Sequence, residues 1–266
     1  MKLFKGFFKL LAVVVAFLLL AAGVCCAEEL TDLLARAEAG DPAAQVAVGD
    51  CYYEGRGVEL NYTIAAQWYQ KSADMNFSPA QYALGFCYEN GIGVERDMER
   101  AVALYEVSAT QGNPEAQFCL GYCFEKGLGT VKDQSQAFVW YKKAAEQGHM
   151  TAQNNLAFCY KYGRGTTKDT EEAFKWYEKA ANQGHKNALT QMGYFYFSGK
   201  GVKKDDKKAF HYFHEASKKG CPEAQCMMAR CFKEGRGIYK DERKAFQYCE
   251  KSAKQNYELA QWFLGE

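Results

Sequence analysis

The sequence predicts an all-α chain, a solenoid of antiparallel helix pairs, and three observations carry that prediction. An alanine recurs every 36 residues, at Ala44, Ala80, Ala116, Ala152, Ala188, Ala224 and Ala260. A Gly-x-Gly element follows each of the first six at one fixed distance. Apolar residues recur with helical spacing on both sides of that element.

The elements follow in chain order. Lys2, Lys5 and Lys9 precede an uncharged, mostly apolar run from Leu10 to Ala27, after which Glu28 and Glu29 open a polar sequence. That arrangement reads as a signal peptide over residues 1–27, cut after Ala27, with Cys25 and Ala27 as the small residues before the cut. A run of 18 residues also reaches the length that spans a bilayer, so an uncleaved N-terminal anchor is the alternative, and membrane association depends on it. A lipoprotein signal fits less well, because Val24 stands before Cys25 where a small residue is usual. Residues 28–43 hold Leu33, Leu34 and Ala37, half a repeat that reads as an N-terminal capping helix over Thr31 to Ala39.

The repeat array fills 44–266, in copies 44–79, 80–115, 116–151, 152–187, 188–223 and 224–259 with a truncated seventh at 260–266. Counting each recurring alanine as position one, the alanine, the apolar residue at five and the aromatic at nine share a helical face, as in Ala80, Leu84 and Tyr88. This is helix A. Position twelve is always glycine (Gly55, Gly91, Gly127, Gly163, Gly199, Gly235) and so is position fourteen (Gly57, Gly93, Gly129, Gly165, Gly201, Gly237). Such a pair ends the helix and permits a tight reversal, acting as a hinge rather than a phosphate loop. Position eighteen, Asn61 and then Asp97, Asp133, Asp169, Asp205 and Asp241, is the expected N-cap of helix B. Ala137, Trp140, Tyr141 and Ala144 show the bulky-and-small face with which helix B interlocks with helix A. Position thirty-three, glycine except at Asn76 and Asn256, closes helix B. The seventh copy stops without the polar cap a solenoid requires, which points to a fragment or to an end covered by a partner or by self-association.

Composition supports a folded chain: aromatic residues make up 15% and prolines number four. Loss of the three leader lysines takes 33 basic residues to 30 against 32 acidic ones, a formal charge near −2, which argues against a nucleic-acid partner.

The landmarks Ala80, Leu84, Gly85, Tyr88, Gly91, Gly93, Val94, Asp97 and Ala101, continued by Trp140, Tyr141, Ala144, Ala145 and Gly148 one copy on, resemble the Sel-1-like repeat, a relative of the tetratricopeptide repeat. The copy from Ala152 to Asn187 departs mainly by Ala157 for glycine and Thr166 for valine. The resemblance implies a right-handed superhelix whose concave surface is lined by positions three, seven and ten of helix A. Tyr82 and Phe118 at position three, with Phe86, Tyr122, Phe158 and Tyr194 at position seven, would then pave the groove and anchor a peptide. Asp50 and Arg230 occupy position seven at the ends, and Glu89, Glu125, Lys161 and Lys233 at position ten fit its rim. The alternative is that these rings pack against each other between repeats.

Nine cysteines follow the leader, five of them at position eight: Cys51, Cys87, Cys123, Cys159 and Cys231. One repeat step of ~8–10 Å keeps them from bridging one another, so they read as small core residues. Two bridges are conceivable, Cys231 to Cys249 and Cys221 to Cys226. Cysteine-rich bacterial members of the family carry pairs with seven intervening residues, and some are described as penicillin-binding or β-lactamase-like. This sequence lacks that pairing and has no Ser-x-x-Lys motif, so a β-lactam or cell-wall-peptide hydrolase is the rival reading to a scaffold binding a protein or peptide. His149, His185 and Cys221 share position thirty-four but lie one repeat apart, too far for a common metal, and His211 and His214 lack a third ligand. No catalytic residue, metal or cofactor is predicted.

Overall fold

A computed structural model describes residues 30–265, with side chains as far as Gln261. The leader and the leader-cleavage site lie outside the described residues. Among the described residues the chain forms helices and turns and no strand, and no helix is long and apolar enough to cross a membrane.

The first helix, α1, covers 30–38. Six helix pairs follow: α2 Pro42–Glu54 with α3 Tyr62–Asp74, α4 Ser78–Asn90 with α5 Met98–Thr110, α6 Pro114–Lys126 with α7 Gln134–Glu146, α8 Met150–Tyr162 with α9 Thr170–Asn182, α10 Lys186–Ser198 with α11 Asp206–Lys218, and α12 Pro222–Glu234 with α13 Glu242–Ala253. A last helix, α14, runs Glu258–Gly265. Helix A therefore starts two residues before each recurring alanine. The chain divides into two compact units, one reaching Ala116 and including Leu128–Val131, the other holding Gln117–Gly127 and the chain from Lys132 onward, with the boundary inside α6.

Each end signal behaves as its chemistry requires. Asn61, Asp97, Asp133, Asp169, Asp205 and Asp241 accept hydrogen bonds from amides in the first turn of helix B. The glycine at position twelve sits in the left-handed region, with φ between 67° at Gly91 and 74° at Gly127, and so do both position-thirty-three asparagines, Asn76 at φ 59° and Asn256 at φ 60°. Position thirty-four caps helix A, a role the sequence did not disclose for its histidines. Ala152 N–H donates to His149 Nδ1 at 3.0 Å, and Ala188 N–H donates to His185 Nδ1 at 3.3 Å. Asn113 does the same for Ala116 at 2.9 Å.

The glycine at position fourteen also takes left-handed backbone, with φ between 63° at Gly129 and 78° at Gly201, and it is a packing residue besides. A Cβ on Gly93 would collide with the Tyr62 carbonyl, and one on Gly165 or Gly237 with the Gln134 or Asp206 carbonyl. From the second repeat onward each loop thus lies on the first turn of the preceding helix B, while Gly57 of the first repeat meets Leu30 of α1. A second close approach lies within the repeat. The glycine at position six faces the aromatic at position twenty-six: a Cβ on Gly85 or Gly121 would come within 2.8 Å of the Tyr105 or Tyr141 ring. Tyr105, Tyr141, Tyr177 and Phe213 are the largest fully buried side chains among the described residues.

One core cluster of the first unit gathers Ala65, Tyr69, Ala80, Leu84 and Cys87. In the second, Tyr141, Leu156, Tyr177, Ala188 and Met192 belong to one cluster, and Phe213, Met228 and Cys231 to another. Rings at positions twenty-three and nine join successive repeats there edge-on: Phe138 to Tyr160 at 5.2 Å, Phe174 to Tyr196 at 6.0 Å and Phe210 to Phe232 at 5.5 Å. Glutamines close the individual repeats. Gln111 donates to Gln81 at 2.7 Å, and Gln147 to Gln117, Gln183 to Gln153 and Gln255 to Gln225 at 2.8 Å each. Repeat five has lost both members, at Leu189 and Lys219, while repeat one keeps Gln45, which donates to the Ala37 carbonyl, and has Met75 in place of its partner.

Two outcomes follow from this backbone and its caps. Gly148 has φ 93° with nothing near an added Cβ, whereas Gly165 combines φ 68° with the Gln134 carbonyl. In urea unfolding, Gly148→Ala costs roughly 1–2 kcal/mol and Gly165→Ala about 3 kcal/mol or more; equal losses contradict the packing role. Burial, reinforced by Lys186, lowers the His185 pKa, and only neutral Nδ1 accepts the Ala188 amide. The cap is complete above about pH 6.5 and is lost as pH falls. His185→Asn, which caps at any pH, should flatten the acid side of the stability profile measured by thermal unfolding, and an unchanged slope excludes this role.

Candidate functional site

Helix A turns positions one, two, five, six and eight toward the core and leaves seven, ten and eleven more open, with position three half-buried as far as Asn154 and buried at Thr190 and Cys226. In the first unit this open face carries Tyr82 and Phe86, both half-buried. The Tyr82 ring lies 6.1 Å from Tyr105 of the same repeat. The acids alongside are engaged: Asp50 accepts from the Tyr69 hydroxyl at 2.7 Å, and Glu89 from the Tyr105 hydroxyl at 2.5 Å. Burial and the Asp50 carboxylate push the Tyr69 hydroxyl pKa well above the usual phenol range.

In the second unit the same face carries Phe118, Tyr122, Phe158 and Tyr194. Phe118 lies 5.9 Å from Tyr141 and stacks on His149 at 4.7 Å. Tyr122 is 38% exposed, with the Lys126 ammonium 5.6 Å from its ring. Phe158 sits 4.6 Å from Tyr162 with the Arg164 guanidinium over it at 4.7 Å. Tyr194 meets Phe213 edge-on at 5.3 Å, and burial followed by Glu223 drives its hydroxyl pKa far up. All these contacts are made inside one repeat. The aromatics that join neighbouring repeats are different ones, at positions nine and twenty-three.

Position ten is less of a rim than the sequence suggested. Glu125 accepts the Tyr141 hydroxyl at 2.7 Å and pairs with Lys126 at 2.6 Å. Burial opposes its ionisation, but Lys126 and Tyr141 outweigh it and hold the carboxyl below the ordinary range. Lys161 reaches across to Gln191 at 2.6 Å. Sequence reasoning passed over Tyr162, 55% exposed, and the group around Phe197, whose ring has Arg236 at 3.4 Å and Arg230 at 5.2 Å. Arg236 is anchored to the Phe197 carbonyl at 3.0 Å and to Asp206 at 2.6 Å. The signal was available: arginine recurs between the two glycines at Arg56, Arg164 and Arg236. From repeat four onward the face thus offers ring faces with guanidinium groups beside them, suited to apolar side chains and carboxylates.

A cleft of about 690 Å³ opens in the sixth repeat, lined by Cys226, Arg230, Lys233, Glu242, Phe246 and Cys249 among others. The nine cysteines of the described residues are thiols, not disulfides. Cys231 lies in the cluster around Phe213 and Met228, Cys249 in a separate one with Cys226, Ala229 and Ala260. Cys221 packs elsewhere, 3.4 Å from Thr190 Oγ1. Burial raises the position-eight thiols, Cys87 to about 11 and Cys159 and Cys231 to about 12, so they are protonated at neutral pH and serve as core residues. Among the described residues no three metal-ligating side chains converge.

The Sel1 repeat model matches six consecutive segments, 42–77, 78–113, 114–149, 151–185, 186–221 and 222–257. No curated protein matches the chain. Among solved structures it is similar to c5321, a protective antigen present in uropathogenic Escherichia coli strains and displaying an SLR fold, with 33% identity and a TM-score of 0.82 over 89% of this chain and 50% of that one. The chain therefore spans about half the length of that antigen. It is also similar to a Sel1 repeat protein from Oxalobacter formigenes, with 34% identity and a TM-score of 0.72 over 80% of this chain and 85% of that one. With the repeat model matched from 42 to 257 and these two likenesses above 30% identity, the chain belongs to the Sel1 repeat family, whose members are generally scaffolds for protein interaction.

Proposed function

We propose that this protein is an exported scaffold that binds a peptide or protein segment along the open face of its A helices, with no chemistry of its own. The observation that carries the reading is the set Tyr122, Phe158 and Tyr194 of the second unit. Three successive repeats there place an aromatic ring at position seven, held on its inner side and left partly open on its outer side, and Phe86 holds the same position in the first unit. Rings already fixed by packing lose little freedom when a partner covers them, which makes them efficient anchors. The guanidinium groups of Arg164, Arg230 and Arg236 add positive charge beside the rings of the second unit, where a carboxylate-bearing segment would be favoured. Export rests on the leader pattern, three lysines ahead of an uncharged run ending in small residues.

Two experiments test this. Replacing Phe86, Tyr122, Phe158 and Tyr194 together by alanine in the full-length protein is expected to weaken capture of its partner by a hundredfold or more, on the order of 3 kcal/mol. Circular dichroism confirms that the variant folds, and Tyr122→Ala, which removes the most open ring, serves as a milder second variant. Undiminished capture by folded variants places binding elsewhere. For export, the mass and N-terminal sequence of protein secreted by the producing cell should begin at Glu28; a chain still starting at Met1 makes the leader an anchor or no leader at all.

A further inference from the structure

The sixth repeat departs from the others at one pair of facing positions. Positions three and twenty-six hold two rings in repeats two and three, Tyr82 with Tyr105 at 6.1 Å and Phe118 with Tyr141 at 5.9 Å. In repeat six both are cysteine, Cys226 on α12 and Cys249 on α13. We propose that Cys226 and Cys249 are an oxidation site, a thiol pair that closes to a disulfide and ties α12 to α13.

The register brings them together. In repeats two and three a Cβ at position six would lie 3.3 Å from the carbonyl of position twenty-two, so the helices approach most closely there. One turn toward the start of helix A and one turn toward the end of the antiparallel helix B, position three faces position twenty-six. Small residues in the sixth repeat keep that approach open, Ala229 at position six and Ala245 at position twenty-two. A disulfide needs facing Cα atoms ~4.4–6.8 Å apart, a spacing that a close helix approach brings within reach. Cys226 and Cys249 belong to one small buried cluster, with Ala229 and Ala260, and both line the 690 Å³ cleft that gives a small oxidant access. The other thiols nearby are set apart, Cys231 among Phe213, Met228 and Phe232, and Cys221 against Thr190.

A small-molecule disulfide such as oxidised glutathione supplies the oxidant. Burial raises both thiols, Cys226 to about 11, and a neighbouring cation opposes this at each, Arg230 at Cys226 and Lys233 at Cys249; attack begins at Cys249. Its thiolate forms a bond to one glutathione sulfur and expels the other as glutathione. Cys226, after losing its proton to solvent, then attacks the Cys249 sulfur and expels the second glutathione. Two protein thiols are oxidised and one glutathione disulfide is reduced to two thiols. In the reduced protein Cys249 Sγ donates to the Ala260 carbonyl at 3.3 Å, so closure also removes a hydrogen bond that holds the start of α14.

The test uses full-length protein purified in reducing buffer and then exposed to oxidised glutathione. After alkylation of the remaining thiols, digestion with trypsin and a glutamate-specific protease separates Cys221 from Cys226, and mass spectrometry identifies linked peptides. The expected product joins Ala224–Arg230 to the peptide containing Cys249, disappears on reduction, and raises the thermal midpoint by several degrees. Cys226→Ser, checked for folding, should instead retain glutathione on Cys249. A bridge from Cys249 to Cys231 or from Cys226 to Cys221, or recovery of Cys226 and Cys249 in alkylated form only, overturns the assignment.

Discussion

A single methyl group separates the glycine at position fourteen from a collision with the carbonyl oxygen of the helix B before it. At Gly93, Gly165 and Gly237 the backbone of one loop rests directly on the first turn of that helix, and any Cβ would occupy the space of the oxygen. This contact sets the step between successive repeats within each unit. The remaining devices presuppose it: the rings at positions twenty-three and nine meet edge-on only when the repeats stand this close, as Phe138 and Tyr160 do at 5.2 Å. The left-handed backbone at position twelve turns the chain into that loop, and the position-eighteen side chain restarts the helix on its far side.

Within a repeat the governing contact is a flat ring on a small residue. Gly85 beneath Tyr105 and Gly121 beneath Tyr141 let the two helices approach until side-chain polar groups can cross-link them, tyrosine hydroxyl to Glu89 or Glu125 and glutamine to glutamine at the other end. Some exceptions come in pairs, Leu189 with Lys219 and Ala229 with Cys249; others stand alone, as Gln45 does with Met75 for a partner and Tyr177 with Ala157 in place of glycine. Such departures give the copies their individual character, and in the sixth copy thiols stand at positions three and twenty-six, where the second and third copies hold rings.

The open face of helix A is a by-product of the same packing. Once positions one, five and eight are committed inward, three, seven and ten must stand at its edge, and what they carry is free to vary. In the first unit they carry Tyr82, Phe86 and acids bound to tyrosine hydroxyls; from the fourth repeat onward they carry rings attended by Arg164, Arg230 and Arg236. A scaffold can thus change its ligand without disturbing its core, since the residues that recognise and the residues that pack occupy different faces of one helix.

The sequence by itself determined the fold class, the number of repeats, the caps at position eighteen and the glycine turns. Each depends on interactions a few residues apart along the chain, and six tandem copies repeat the signal. It also marked the six aromatics of the candidate face, because helical spacing fixes which residues share a side. Tertiary structure decided the rest. It added a contact surface to the turning role of the second glycine, made caps of His149 and His185, and placed Cys249 with Cys226 rather than with Cys231. It also revealed the arginines stacked over Phe158 and Phe197. These outcomes depend on the distance and register between helices joined by a loop, which are set by packing in three dimensions and leave no periodic trace in one copy of the repeat.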